Sequence, residues 1–115
     1  MEGLEVIECK GEGYKRLVDG PLWTLAMIGP APRFEGGNFT QVERHMLTDE
    51  TFVLLSGEAT LVIGTSAEKV PMEPLKFYNV KAGTWHHIFV GKDSCVLVAE
   101  NSNTSRENSE YMPVG

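Results

Sequence analysis

The chain has 115 residues, enough for one domain with a real core and too few for two. Its 10 basic residues against 16 acidic ones leave a formal net charge of −6, which argues against a nucleic-acid or acidic-membrane surface, because both demand clustered Lys and Arg. The longest apolar run is only a handful of residues, so no segment is expected to span a bilayer.

The opening, MEGLEVIECKGEG, is rich in acidic residues and has no apolar stretch of the kind a signal peptide carries. A cytoplasmic setting is the expectation, and with it Cys9 and Cys95 as free thiols rather than a disulfide. From there the chain runs as short β-rich segments broken by Gly, Pro, Asn and Asp, with no sustained helical period. Strands are expected over WTLAMIG, FTQVERHM, ETFVLLSG, EATLVIG, KFYNV, HHIFVG and CVLVAEN, with loops at PAPRFEGGN and SAEKVPMEP. The clearest hairpin is FVLLSGEATLVIG, hinged where Gly57 can take the positive φ that a tight turn needs. Recurring strands with turn signals between them point to an all-β barrel or sandwich. The end, residues 101–115, is polar and Asn/Ser-rich until Tyr111, Met112 and Val114, and reads as a tail or as an arm that docks by those three.

Four residues resist a purely structural reading. Strand residues two apart share a face, so Glu43 and His45 point one way while Val42, Arg44 and Met46 point the other. Glu50 opens the next strand; if it shares a face with Phe52 and Leu54, it points into the core, where an unpartnered carboxylate costs several kcal/mol. His86 and His87, being adjacent, face opposite sides of their strand, so at most one can join Glu43 and His45. Trp85, His87 and Phe89 then share the outer face, a place for barrel surface or a dimer contact.

The spacing of these residues resembles the two motifs of the cupin superfamily. Gly37, Glu43, His45, Glu50 and Gly57 follow the first motif, with Glu43 standing where the family has its first His; Gly83 and His86 follow the second. The departures are Glu43, Lys81 in place of Pro, Leu75 in place of the leading Gly, and Val90 in place of the final Asn. The resemblance implies a double-stranded β-helix, a jelly-roll-like barrel, over a single domain spanning 1–115 with 101–115 as a polar C-terminal arm. It implies one divalent metal, Fe, Mn, Ni, Zn or Cu, on Glu43, His45, Glu50 and His86. Glutamate at position 43 can ligate, or it can have left the metal to serve as a catalytic general base or substrate contact.

The first half is similar to small single-domain bacterial cupins, and GTWHH is similar to a string in ureidoglycolate lyases. Two functions from different classes follow. One is a metal-dependent enzyme, a lyase, isomerase or dioxygenase of the cupin type, acting on a small carboxylate- or hydroxyl-bearing metabolite. The other is a small-molecule binding or sensing module without turnover. A homodimer is expected from the resemblance and from outward-facing Trp85 and Phe89.

Overall fold

The structure is a computed structural model that describes residues 2–114. Ten strands run in the order β1 (Tyr14–Asp19), β2 (Trp23–Ile28), β3 (Gln41–His45), β4 (Glu50–Ser56), β5 (Ala59–Ile63), β6 (Glu68–Pro71), β7 (Tyr78–Val80), β8 (His86–Val90), β9 (Cys95–Asn101) and β10 (Ser109–Pro113). They form two five-stranded sheets, β1-β2-β9-β4-β7 and β10-β3-β8-β5-β6. Every pairing is antiparallel, and the two sheets enclose the core as a jelly-roll-like barrel.

Strand alternation builds that core directly. In β4, Glu50, Phe52 and Leu54 are buried while Thr51 and Val53 are less so; in β9, Val96, Val98 and Glu100 are buried on one face. Phe52, Leu54, Val96 and Val98 meet Ile88 and Val90 of β8 and Leu61 of β5 in one apolar cluster. The β4–β5 hairpin turns at Gly57, whose φ is 78°. A Cβ there would stand 2.1 Å from the Ser94 hydroxyl, so only glycine fits.

All seven expected strand segments contain strands, trimmed by a residue or two at most ends. Three strands went unforeseen: β1 in the polar YKRLVD, β6 inside the expected loop at SAEKVPMEP, and β10 in the C-terminal segment. The stretch between β2 and β3 is irregular, as expected, apart from two single 3₁₀ turns. The C-terminal segment docks chiefly by backbone: β10 lies along β3 with Tyr111 opposite Glu43 and Met112 opposite Val42.

The outward-facing aromatics depart from expectation. Trp85 and Phe89 are half-buried rather than exposed. The Arg44 guanidinium lies 4.4 Å from the Trp85 ring centroid, and Phe39 packs edge-on against Phe89 at 5.3 Å. The segment before β3 thus covers the face on which a dimer contact was expected.

Candidate metal centre

Three strand ends of the barrel bring the expected residues together. Glu43 and His45 come from β3, Glu50 opens β4, and His86 opens β8 directly opposite Glu43. Two turns are locked so that these ends meet. The Gly83 N–H donates to the His45 carbonyl at 2.8 Å, and Gly83 takes φ 80° to do so. On the other side the Asp49 carboxylate accepts the Ala82 N–H and the Asn79 side-chain amide, both at 2.9 Å. Asp49 therefore ties the turn before His86 to the turn before Glu50.

The two imidazoles have fixed tautomers. A carbonyl only accepts, so His86 Nδ1 carries a proton and donates it to the Thr84 carbonyl at 3.0 Å. Ser109 donates its hydroxyl to the Ser105 carbonyl at 2.5 Å, so its oxygen must accept from His45 Nδ1 at 2.7 Å. In a neutral ring this leaves Nε2 with its lone pair. Both Nε2 atoms face one carboxylate: His86 stands 3.1 Å from Glu50 Oε1, and His45 stands 3.5 Å from Glu50 Oε2.

His86 Nε2 and Glu50 Oε1 are at hydrogen-bond distance, so a proton or a metal ion lies between their lone pairs. Glu50 is only 6% exposed and His86 3%. Burial pushes the Glu50 carboxyl up, the His86 hydrogen bond opposes this, and contact with Glu100 adds to the rise. Burial works to lower His86, but the hydrogen bond and charge of Glu50, with the Thr84 carbonyl and Glu43, carry it upward overall. Both partners hold out for the same proton, the mark of a pair that shares one. His45 is lowered, chiefly by burial. A divalent cation would meet every one of these demands at once.

The donor atoms form two overlapping groups, each of which could hold one. Atoms of Glu43, His45 and His86 lie within 4.8 Å of one another, as do those of His45, Glu50 and Glu100. Imidazole nitrogen and carboxylate oxygen are the donors that iron, manganese, nickel, zinc and copper accept.

Glu100 and Tyr14 escaped the sequence reading. Glu100 was legible in principle: in CVLVAEN it continues the inward face of Val96 and Val98, and a carboxylate on that face needs a partner. Its partner is the Tyr14 hydroxyl, which donates to Glu100 Oε1. Burial, then the Glu100 hydrogen bond, raises the phenol, which stays protonated. Tyr14 had no comparable signal, because it lies on a strand whose sequence is polar.

The donors open into a cavity of about 210 Å³, which is also lined by Arg16, Arg33, Phe34, His87 and Tyr111. His87, expected on the outer face, lines this cavity as well and stacks against Phe34 and Phe39 at centroid distances of 6.2 and 5.1 Å. Arg44 points away from the cavity to Glu110, and Tyr78 is used up by the Glu73 N–H.

No family model and no curated protein matches the sequence. Solved structures do. Pac13, described as a unique nucleoside dehydratase, is 19% identical over 94% of this chain and 86% of its own, with a TM-score of 0.64; variants of the Streptomyces protein were solved with uridine. An RmlC-like cupin with a double-stranded β-helix from Methanocaldococcus jannaschii is 16% identical over 88% of this chain and 93% of its own, at 0.64. Iron(II) HppE in complex with substrate is 17% identical over 76% of this chain and 52% of its own, at 0.58. The likeness of GTWHH to ureidoglycolate lyases is not shown by these comparisons; here its glycine makes a turn and its threonine carbonyl fixes His86. Facing antiparallel sheets, the order of the strands and the agreement with these structures give one conclusion: this chain has the double-stranded β-helix fold of the cupin structures it resembles.

Proposed function

We propose that this protein binds one divalent transition metal, Fe, Mn, Ni, Zn or Cu, on Glu43, His45, Glu50 and His86, and takes a small polar metabolite in the adjoining cavity. The observation that carries the reading is the convergence of the His45 and His86 Nε2 atoms on one buried carboxylate. When bound, the ion supplies a Lewis acid for a carboxylate, hydroxyl or carbonyl oxygen of the ligand.

The chain's own groups do the rest. Thr84 and Ser109 orient the imidazoles, and Tyr14 holds Glu100 behind Glu50. Glu43, less buried than Glu50, is the group at the mouth placed either to ligate or to move a proton as a base. Arg16 and Arg33 put two guanidiniums on the cavity wall, which favours a ligand bearing a carboxylate. The uridine held by the Pac13 variants and the substrate held by HppE support a small polar ligand in a barrel of this kind.

Turnover as a lyase, isomerase or dioxygenase is the first reading; a binding or sensing module is the second, and it gains if Glu43 proves to be a ligand, which leaves no free base at the ion. Nucleic acid and membrane are not among the partners in this proposal. A homodimer and a cytoplasmic setting belong to it, the first supported by the exposed Leu22 and Trp23.

Thermal unfolding of chelator-stripped protein with each of the five ions tests the proposal. An ion present at a hundredfold over its dissociation constant should stabilise the fold by about 2.7 kcal/mol. His86→Ala should abolish the shift. No shift with any of the five ions would overturn the proposal.

A further inference from the structure

Away from the metal centre, Cys9 and Cys95 stand with their sulfurs 2.9 Å apart, against about 2.0 Å for the bond itself. Their side chains therefore already face one another. Cys9 is exposed, on a coil that precedes β1, and Cys95 is half-buried at the first position of β9. A further pairing lies along the same two segments. Cys9 is five residues before Tyr14 and Cys95 five before Glu100, the two residues joined by a hydrogen bond behind the metal centre.

We propose that Cys9 and Cys95 are a redox-sensitive pair that closes into a disulfide and clamps the N-terminal coil onto β9. The oxidant is a small-molecule disulfide. The Cys9 thiolate attacks it, forming a mixed disulfide and releasing one thiol; Cys95, as thiolate, attacks the Cys9 sulfur, forming the protein disulfide and releasing the second. Two protein thiols are oxidised and one small disulfide is reduced to two thiols. The order follows from exposure: the outer sulfur meets the oxidant, and burial raises the Cys95 thiol to about 12, which makes it the slower, resolving partner. The closed loop spans most of the chain, the case in which a cross-link restricts the unfolded state most.

The test is intact-protein mass spectrometry of the full-length chain after treatment with glutathione disulfide, followed by peptide mapping and thermal unfolding. The expected product is lighter by two hydrogens, carries no glutathione, and joins the Cys9 and Cys95 peptides. Its melting temperature should rise by about 10 °C and return on addition of dithiothreitol. Cys9→Ser should show no such rise. Glutathione adducts left on both cysteines, disulfide-linked dimers as the main product, or two thiols that stay free would each overturn the proposal.

Discussion

Glu43 carries the ambiguity of the site in one side chain. A ligating carboxylate changed to Gln loses charge and donor strength, so Glu43→Gln should lower metal affinity by about tenfold or more. A general base changed the same way would keep the metal and lose turnover. A competition titration of wild type and variant against a chelating dye separates the two, and unchanged affinity would remove Glu43 from the ligands. Leu75 makes a second, independent point at this scale. It stands where the cupin motif has glycine, and it keeps a glycine conformation, φ 67°, at the third position of a Glu73-Pro74-Leu75-Lys76 turn. The side chain is 95% exposed and gains nothing in return. Leu75→Gly should therefore raise stability by about 0.5–1 kcal/mol, since relief of the left-handed strain exceeds the added entropy of the unfolded glycine; chemical denaturation measures it, and a loss of stability would contradict it. Residue spacing made Glu43, His45, Glu50 and His86 legible, because strand parity and motif gaps act on the same positions. The tautomers were not legible: they depend on Ser109 and the Thr84 carbonyl, which only the folded chain brings into reach.

At the scale of elements, the strands that escaped the sequence are polar edges. β2, β4, β5, β8 and β9 pack inward against the core, and their alternation or β-branched runs reveal them. β1, β6 and β10 are edge strands, held by backbone pairing along one side, and edge strands carry the charged side chains that mask a strand pattern. β10 matters most, since it delivers Ser109 to His45. Ser109→Ala should lower metal affinity by about 10- to 100-fold while leaving β10 in place; an affinity equal to wild type would deny it a role in holding the imidazole. The turn pair at Asp49 is testable by pH. Hydrogen bonds from Ala82 and Asn79 hold its carboxyl below the ordinary 3.8. A depressed folded value means stability that is present above the unfolded value and lost as pH falls through the folded one. Asp49→Asn should thus melt lower than wild type at neutral pH, with the gap closing below about pH 4. A gap that is constant with pH would show that charge on Asp49 plays no part.

For the whole molecule, one apolar cluster between two sheets leaves the barrel mouth as the place where buried charge collects. The aromatic face once expected to dimerise is occupied by Arg44 and by the segment carrying Phe34 and Phe39. Leu22 and Trp23, at 74% and 54% exposure, form one of the exposed apolar patches that a second copy could cover in the dimer proposed above. Light scattering should give about twice the 12.7 kDa chain mass, and Trp23→Glu should return it to one; a monomer across micromolar concentrations would contradict the dimer. Every role proposed for the barrel mouth depends on the metal. Elemental analysis of protein purified without chelator should find about one equivalent of a first-row divalent ion per chain, lost in both His45→Ala and His86→Ala. Metal-free wild type, or full occupancy in both variants, would contradict it.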